Sequence, residues 1–388
     1  MRIGRILSTT VSVGLLCIAP CSADMAAKHA RLVHSLNAKS GYNPIFEQLT
    51  FDAAGNLYGT ARDGGANGAG TVFRIAADST LKVLYSFPGG AGGLYAAGPV
   101  ALDRDGNIYG TTATTVFKLS PDGSDGYTPS VVHVFTGTPD GASASSGVII
   151  DKEGNSYGTT FSGGANDLGT VFKISNTGEE TILHSFTGSD GAYPSAGVFR
   201  DKSGSLYGTT QRGGGVPNCD AGCGIVYKIT SDGTFTGIHY FLGGNAGDGA
   251  WPIGGLIQDG KGILYGTTSF GGHPNGGTVF EIFPSGTEQV LYSFGMNFGD
   301  GFDPQSTLAR DGHGDLYGTA NVGGINNNGT VFRISKDGAA KTVYSFKGGT
   351  KDGSRPSGGV TIDSDGNLFG TTTLGGRNNS GAVFEIVK

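Results

Sequence analysis

Short apolar stretches alternate with polar turns along the chain, and within each stretch apolar residues recur at every second position. The C-terminal repeat shows the pattern most simply. Residues 359–363 and 368–372 are joined by the turn Asp363-Ser364-Asp365-Gly366-Asn367, and residues 382–386 follow after a Gly/Asn-rich loop. Alternation with a period of two predicts β-strands, and the Gly/Asn/Asp clusters predict the turns between them. Earlier copies add a fourth stretch, as in residues 83–87.

This four-strand unit occurs seven times. Its most recognisable element is Leu57-Tyr58-Gly59-Thr60, and the corresponding aromatic residues follow one another at intervals of 48 to 58 residues: Tyr58, Tyr109, Tyr157, Tyr207, Tyr265, Tyr317 and Phe369. Four antiparallel strands in a period of about fifty residues are typical of one β-propeller blade. The sequence therefore predicts an all-β fold, a seven-bladed β-propeller of four-stranded blades.

The two ends of the repeat array complement each other. The last repeat stops after its third strand, while residues 31–36 have the pattern of a fourth strand without a repeat of their own. Pairing these segments would close the ring and remove two unpaired strand edges. We therefore predict one propeller domain over residues 31–388, closed by an N-terminal strand that completes the last blade. A linear solenoid is the alternative, but a solenoid needs atypical caps at both ends.

The first 23 residues differ from the repeats. A basic start, Met1-Arg2-Ile3-Gly4-Arg5, precedes the longest apolar run of the chain, which ends at Pro20. With the small residues Cys21 and Ala23, this pattern is typical of a secretory signal peptide cleaved after Ala23. Residues 24–30 then form a short N-terminal segment. A retained membrane anchor is the alternative, although the run is short for a bilayer span of roughly 20 residues. We predict a secreted protein, periplasmic or extracellular, with no membrane span after cleavage.

Composition narrows the partners. The chain of 388 residues contains 73 Gly and 15% charged residues. Its formal charge is −6 and its basic residues form no cluster, so we do not expect nucleic-acid binding. After cleavage, Cys219 and Cys223 are the remaining cysteines. In an oxidising compartment two cysteines in one loop predict a disulfide. A zinc site is the alternative, but two thiols without a nearby His pair suit zinc poorly. We expect a monomer.

The repeat resembles the GloVer tandem-repeat family of secreted bacterial proteins. The resemblance rests on two words that recur in order, as in Gly154-Asn155-Ser156-Tyr157-Gly158-Thr159-Thr160 and Gly169-Thr170-Val171-Phe172-Lys173-Ile174. The Asp-x-x-Gly-Asn turn before the Tyr-containing strand also resembles NHL-type propeller repeats. The resemblance implies a propeller over nearly the whole mature chain. It implies no established activity and no catalytic residues.

Comparison of the seven copies separates packing positions from variable ones. The second-strand Tyr becomes Phe369 in the last copy, so we expect its ring to pack and its hydroxyl to be dispensable. The Gly that follows is constant, which fits close approach of a neighbouring blade. Four histidines occupy an outer-strand position that is Tyr85, Tyr292 or Tyr344 elsewhere, so we expect them to fill space rather than to bind metal or transfer protons: His34, His133, His184 and His239.

An Asp opens the first turn of every copy: Asp52, Asp103, Asp151, Asp201, Asp259, Asp311 and Asp363. An Asp at this point of a hairpin accepts backbone N–H groups of the turn, so we expect capping. The turns 103–107 and 363–367 offer further oxygens, which leaves calcium as an alternative there. We otherwise expect neither a cofactor nor a metal.

The loop between consecutive copies has the form Asp-Gly-Ala-X-Pro, and position X varies. We call its occupants the rim residues: Asn43, Tyr95, Ser143, Tyr193, Trp251, Asp303 and Arg355. Because strands alternate in direction, these loops share a face with the loops between second and third strands, which add Arg62, Asp63, His273 and Arg377. Tyr, Trp, Asn, Asp and Arg suit a sugar or peptide by stacking and directional hydrogen bonds. Neutral drift at an exposed loop would explain the same variation.

These observations favour a noncatalytic binding or interaction module for an extracellular carbohydrate, another surface polymer or a protein. Tentative ligand-binding residues are Asn43, Tyr95, Tyr193, Trp251, Asp303 and Arg355. A polysaccharide lyase or glycoside hydrolase using Asp303 and Asp63 is the alternative, and a rigid envelope protein is a third. No Gly-x-Ser-x-Gly, His-Glu-x-x-His, P-loop or zinc deaminase motif occurs in the sequence, so no catalytic residue is assigned.

Overall fold

The computed structural model describes residues 30–45, 48–144, 146–244 and 247–388. The predicted signal peptide, residues 1–23, lies outside the described residues, as does nearly all of the 24–30 segment. Strands make up nearly all of the regular structure in the described chain, with a short 3-10 turn at Gly90–Gly92. Within this part of the chain, no helix has the length and apolar character needed to cross a membrane.

The strands form seven four-stranded antiparallel sheets, the predicted blades. The inner strands are Thr50–Phe51, Ala96–Leu102, Ile149–Ile150, Phe199–Arg200, Ile257–Gln258, Ala309–Arg310 and Thr361–Ile362. The second strands are Leu57–Ala61, Ile108–Thr112, Ser156–Thr160, Leu206–Thr210, Leu264–Thr268, Leu316–Ala320 and Leu368–Thr372. The third strands are Thr71–Ile75, Thr115–Pro121, Thr170–Ile174, Ile225–Ile229, Thr278–Ile282, Thr330–Ile334 and Ala382–Ile386. The outer strands of blades one to six are Leu81–Ser86, Tyr127–Val134, Glu180–Ser185, Phe235–Tyr240, Glu288–Ser293 and Ala340–Ser345.

The seventh blade is built from both ends of the chain. Ala30–Ser35 is its outer strand and pairs antiparallel with Ala382–Ile386. Arg31 forms an ion pair with Glu385 across this junction, and the Glu385 side chain is buried. Leu32 packs into the cluster between blades six and seven, while Val33 packs into the cluster between blades seven and one. The seven-bladed propeller and its closure by an N-terminal strand are therefore confirmed.

Hydrophobic clusters between consecutive blades hold the ring together. Between blades one and two, for example, Tyr58 and Phe87 pack against Ile108 and Phe117. The third-strand aromatic residues are at most 3% exposed: Phe73, Phe117, Phe172, Tyr227, Phe280, Phe332 and Phe384. Removal of a buried aromatic ring of this kind typically costs about 3 to 5 kcal/mol. The core is thus distributed around the ring and has no single centre.

The constant Gly of the second strand accommodates an aromatic ring of its own blade. Gly59 pairs with Phe73, and a Cβ built on Gly59 would lie 2.7 Å from that ring. The equivalent distance is 2.6 Å from Gly110 to Phe117. The expectation that a neighbouring blade requires this Gly was therefore wrong. Pairing places the third-strand ring across the adjacent second strand, where only hydrogen fits.

The second-strand tyrosines also use their hydroxyl groups. In six blades the hydroxyl donates to the Asp that opens the first turn, over 3.0 to 3.4 Å. Oδ1 of the same Asp accepts the N–H groups two and four residues later, as Asp151 does from Glu153 and Asn155. The capping role of the Asp is confirmed. The expectation that the hydroxyl has no role was wrong in these six blades.

The outer strand of every blade carries a β-bulge at the same place. The unpaired residue is always aliphatic and packs against a cluster between blades: Val33, Leu84, Val132, Leu183, Ile238, Leu291 and Val343. A bulge changes the direction of the side chains that follow it. The next residue is the His or Tyr of the outer strand, so the bulge sets the direction of that ring.

Candidate functional site

A channel of about 470 Å³ runs through the middle of the ring. It is lined by the inner strands and the residues before them, mainly Gly, aliphatic residues, Ser and Gln. Ser195, Gln305 and Ser357 belong to this lining. Each lies two residues after a rim residue, which places the rim residues around one mouth of the channel.

The rim loops and the loops between second and third strands form one face, as predicted. In blades five, six and seven they pair as two-stranded ribbons: Gly249–Ala250 with Phe270–Gly271, Gly301–Phe302 with Val322–Gly323, and Gly353–Ser354 with Leu374–Gly375. Single bridges join the same loops in blades one, three and four. In blade two the inner strand itself extends to Ala96, which pairs with Thr112. In every blade, therefore, backbone pairing joins the rim loop to a neighbouring part of the same face.

All seven rim residues adopt the left-handed backbone conformation, with φ between 56° and 61°. Gly is the residue that adopts this conformation without a steric penalty. None of the seven is Gly: Asn43, Tyr95, Ser143, Tyr193, Trp251, Asp303 and Arg355. The repeat therefore keeps a side chain at a position whose backbone conformation favours Gly.

Backbone hydrogen bonds hold each rim residue between two blades. The N–H of Tyr193 donates to the carbonyl of Leu168 in the preceding blade, and the carbonyl of Tyr193 accepts from Gln211 in the following blade. Trp251 is held in the same way by Cys223 and Ser269. Because Cys223 forms the predicted disulfide with Cys219, this covalent loop lies directly beneath Trp251. The disulfide prediction is confirmed.

Three aromatic rim residues rest on side chains of the preceding blade. The Arg62 guanidinium lies 4.7 Å from the centre of the Tyr95 ring. Phe161 stacks on Tyr193 with ring centres 5.1 Å apart. These contacts support one face of each ring and leave the rest of the rim face open to a ligand.

Trp251 is held between side chains of two blades. Arg212 lies 4.3 Å from the centre of its ring, and Phe270 makes an edge contact at 4.6 Å. The indole N–H is buried and has no hydrogen-bond acceptor among the described residues. Trp251 also packs against the cluster between blades four and five, so it serves the scaffold as well as the face.

The polar rim residues form local pairs. The Asn43 amide donates to Asp63 over 3.0 Å. Gln305 donates to Asp303 over 2.8 Å. Burial raises the pKa of Asp303, and Gln305, the nearby Ser269 hydroxyl and the Arg355 charge oppose this only in part. Asp303 Oδ1 is buried without a hydrogen bond within the described structure.

Exposed aromatic rings continue this face outward. Tyr42 and Phe302 directly precede rim residues, and together with Tyr95 and Phe270 they are 37% to 39% exposed. Phe298, in the loop that leads to Phe302, is 96% exposed. Five rings accessible on one face provide flat apolar surfaces beside the polar groups of the rim.

The outer-strand histidines do more than fill space. His133, His184 and His239 bond through Nε2 to the Asp of the following loop, over 3.1 to 3.3 Å: Asp140, Asp190 and Asp248. Tyr292 and Tyr344 donate to the equivalent Asp300 and Asp352 over 2.8 Å. The prediction that these histidines only fill space was therefore incomplete. The His or Tyr at this position also forms a hydrogen bond with an Asp in the loop after the outer strand.

Two of these pairs have a third possible metal ligand. Glu180 joins His133 and Asp140, and Glu288 joins His239 and Asp248. Burial, followed by the neighbouring Asp140, raises the pKa of Glu180 to about 8. Burial and the negative charge of Asp248 raise the pKa of Glu288 to about 7, with His239 acting in the opposite direction.

Several residues of the face were missed from the sequence. Phe161, Arg212 and Phe270 directly follow or lie near the end of a second strand and support the rim rings. Their signal was their position after the Gly-Thr pair of the second strand, which all seven copies share. The predicted face included only Arg62, Asp63, His273 and Arg377 from these loops.

Comparison with known proteins agrees with this architecture. The Gloeobacter/Verrucomicrobia repeat matches residues 21–216 and 216–388. No curated protein matches the chain. Among solved structures, the chain is similar to a catalytically inactive virginiamycin B lyase from Staphylococcus aureus with quinupristin. That likeness has a TM-score of 0.63 and 14% identity, and it covers 93% of this chain and 100% of the other.

Two further structures are similar at the same level. A streptogramin B lyase has a TM-score of 0.61 and 16% identity, covering 92% of this chain and 96% of its own. The extracellular domain of BT4673 from B. thetaiotaomicron has a TM-score of 0.59 and 12% identity, covering 92% of this chain and 40% of its own. At such identities the similarity concerns the fold.

Proposed function

Because this chain belongs to the Gloeobacter/Verrucomicrobia repeat family and folds as a seven-bladed propeller, we propose that it is a secreted, noncatalytic binding module. Its ligand is a carbohydrate or another surface polymer, bound across the face that carries the rim residues. The proposal rests on the left-handed conformation of seven rim residues that are not Gly.

The energetic argument compares the two options at one rim position. An L-residue in this conformation costs about 1 to 2 kcal/mol. Gly would avoid that cost and lose roughly 0.5 to 1 kcal/mol through its greater freedom in the unfolded chain. Gly is therefore the cheaper choice for folding, and the chain uses 73 of them elsewhere. Retention of a residue other than Gly at every rim position supports a use for those side chains outside folding.

The surroundings of the rim suit a sugar polymer. Exposed rings such as Tyr95 and Phe302 can stack on the apolar faces of sugars, and Asn43, Asp303 and Arg355 can bond to hydroxyl groups. The lining of the channel mouth adds Ser195, Gln305 and Ser357. Stacking surfaces beside neutral and charged hydrogen-bonding groups favour an uncharged or weakly charged polymer.

A glycan array probed with the mature protein tests this proposal, and a titration of the best ligand follows. Tyr95→Ala and Tyr193→Ala should each weaken binding by roughly 1 to 3 kcal/mol. Tyr127→Ala is the matched control, since Tyr127 lies at the opposite end of its blade, beside the first turn of blade one. Equal affinity for all three variants and the parent protein would contradict a ligand on the rim face.

Trp251 offers an independent signal as the single Trp of the chain. Its fluorescence should change as the ligand covers the rim. Trp251→Phe is the preferred substitution, because Trp251→Ala would also remove packing from the cluster between blades four and five. The variant should keep the melting temperature within a few degrees and lose the fluorescence response.

An enzyme acting on the same polymer is the second candidate, and Asp303 favours it. Its carboxyl is largely buried, has a raised pKa and leaves Oδ1 without a partner beside Ser269. An enzyme would release shorter products from the bound polymer, measurable by mass spectrometry, and Asp303→Asn would stop their release. An intact polymer after long incubation with the parent protein supports the binding module.

Secretion has its own test. Cleavage after Ala23 gives a mature chain that starts at Asp24. N-terminal sequencing of the exported protein should read Asp-Met-Ala-Ala-Lys. A start at Met1 would contradict the proposed signal peptide.

A further inference from the structure

Two equivalent groups of three side chains lie where the outer strands of adjacent blades meet the loops between blades. In each group, His comes from the outer strand of one blade and Asp from the loop that follows it. Glu comes from the start of the next blade's outer strand. The groups are His133, Asp140 and Glu180 between blades two and three, and His239, Asp248 and Glu288 between blades four and five.

The spacing of the donor atoms suits one small cation. In each group the three donor atoms lie within 4.8 Å of one another. His133 Nε2 is 3.2 Å from Asp140 Oδ1 and 3.7 Å from Glu180 Oε1. Ligands about 2.1 Å from a common tetrahedral Zn²⁺ are separated by roughly 3.4 Å. The observed separations therefore need little movement to coordinate an ion.

The Glu donor atom of each group has no hydrogen-bond partner in the part of the chain that the structure describes. Glu180 Oε1 and Glu288 Oε1 are inaccessible to solvent and accept no hydrogen bond from the described residues. Each Glu lies beside a second carboxylate, and the described chain supplies no Lys or Arg ion pair to either group. Two neighbouring buried carboxylates without a strong positive partner repel each other. A divalent cation would remove that repulsion.

Fixed Asp positions strengthen the case. Thr136 donates both its N–H and its hydroxyl to Asp140 Oδ2, which leaves Oδ1 toward the His. In the second group the N–H of Leu242 donates to Asp248 Oδ2, and Gly249 donates to Oδ1. Such hydrogen bonds orient metal-ligating carboxylates.

The chain contains a natural comparison between these groups. His184 and Asp190 form the same pair in blade three, but the next outer strand begins with Phe235. That ring stacks on His184 with centres 3.8 Å apart. The third donor is thus present in two positions and replaced by an aromatic ring in the one between them.

We propose that each His-Asp-Glu group binds one divalent transition-metal ion, with Zn²⁺ as the preferred ion. One imidazole nitrogen and two carboxylate oxygens form the protein ligands, and water completes the coordination. Imidazole suits Zn²⁺, whereas Ca²⁺ takes oxygen ligands. The bound ion links adjacent blades, since the His and Asp belong to one blade and the Glu to the next. The Asp of each group opens the loop that carries a rim residue, but no proposed metal ligand is itself a rim residue, so the proposal does not depend on the proposed function.

Zinc titration of the untagged protein by calorimetry, with metal content measured after gel filtration, tests the proposal. We expect two ions per chain and a higher melting temperature with Zn²⁺. Glu180→Gln and Glu288→Gln should each leave one ion, and the double variant should leave none. His184→Ala is the control and should retain two.

Co²⁺ supplies a second measurement, because its visible spectrum reports coordination directly. The parent protein should show ligand-field bands that the double variant lacks. His133→Ala combined with His239→Ala provides another pair of changes should the Glu variants fold poorly. The proposal is overturned if the parent protein binds no Zn²⁺ at micromolar free concentration. It is also overturned if two ions persist in the double variants, or if Ca²⁺ binds more tightly than Zn²⁺.

Discussion

At the scale of single residues, Tyr227 differs from the equivalent residues of the other blades by its hydroxyl group. Tyr227 is fully buried, and its hydroxyl has no partner among the described residues. Burial raises its pKa. The equivalent residue in the other six blades is Phe. The ring is therefore required at this position, while the hydroxyl carries an uncompensated desolvation cost.

Tyr227→Phe should stabilise the protein by about 1 to 3 kcal/mol, the cost of leaving a buried polar group unpaired. The change removes one oxygen and keeps the ring that packs over Gly208. Urea unfolding followed by circular dichroism gives the measurement. Tyr207→Phe is the control, because its hydroxyl donates to Asp201, and that change should destabilise the protein. A lower stability of Tyr227→Phe would mean that the hydroxyl has a partner in solution.

The sequence revealed packing at this scale better than it revealed hydrogen bonds. Exchange of Tyr for Phe369, or of Tyr for His in the outer strand, correctly indicated rings that pack at the edge of the core and are partly buried. The exchange did not reveal that Tyr and His can both form a hydrogen bond with the Asp at the equivalent loop position. His184 does so with Asp190, and Tyr292 does so with Asp300. A substitution that conserves both shape and hydrogen bonding looks like packing alone until the partner is located in space.

At the scale of elements, the first turn of the blade is the most repeated hydrogen-bonded unit. Burial alone would raise the pKa of its Asp, but hydrogen bonds from the turn and from the second-strand Tyr or the nearby side chains outweigh this. The pKa is lowered in five copies: Asp52, Asp103, Asp151, Asp201 and Asp311. The carboxylate form is therefore the one that stabilises the hairpin.

Asp151→Ala should cost about 1 to 3 kcal/mol at pH 7, where the charged Asp accepts its hydrogen bonds. A lowered folded pKa gives stability above the unfolded value of about 3.9, and this stability is lost as the pH falls through the folded pKa. The difference between the parent protein and the variant should therefore shrink below pH 4. Urea unfolding at pH 7 and pH 3 measures it. Asp365→Ala, at an exposed residue, is the control. A stability difference between the parent protein and Asp151→Ala that does not change with pH would exclude a charged cap.

The strands and blades could be predicted because short, repeated sequence patterns encode them. The rim face could be predicted only in part. The variable loop located the rim residues, but their conformation depends on hydrogen bonds to two blades, as for Tyr193 with Leu168 and Gln211. The contacts of Arg212 and Phe270 with Trp251 join segments about 40 and 20 residues apart. Contacts between segments so far apart in the sequence leave no local pattern from which they could be predicted.

At the scale of the whole molecule, the ring depends on the junction between its first and last strands. Five residue pairs join Ala30–Ser35 to Ala382–Ile386, and Leu32 and Val33 extend from this junction into two different clusters between blades. Loss of one strand would therefore weaken both neighbouring interfaces. Every other blade would remain intact but would belong to an open array.

Deletion of residues 30–35 should lower the free energy of unfolding by roughly 4 kcal/mol or more and increase aggregation, because two strand edges become accessible. Thermal unfolding and light scattering give the two measurements. A shorter deletion that ends before Ala30 is the control. Adding a synthetic peptide of sequence Ala-Arg-Leu-Val-His-Ser should partly restore the melting temperature. An unchanged melting temperature after deletion would contradict closure by this strand.

The split blade also sets an order in time. The strand Ala30–Ser35 leaves the ribosome about 350 residues before its partner Ala382–Ile386. At roughly 5 to 20 residues per second, it waits for some 20 to 70 seconds. Arg31 and His34 lie on this waiting strand, and a charged edge pairs poorly with a second apolar strand. Arg31 then forms its ion pair with Glu385, so the charge that keeps the unpaired strand from other strands later holds it to its partner.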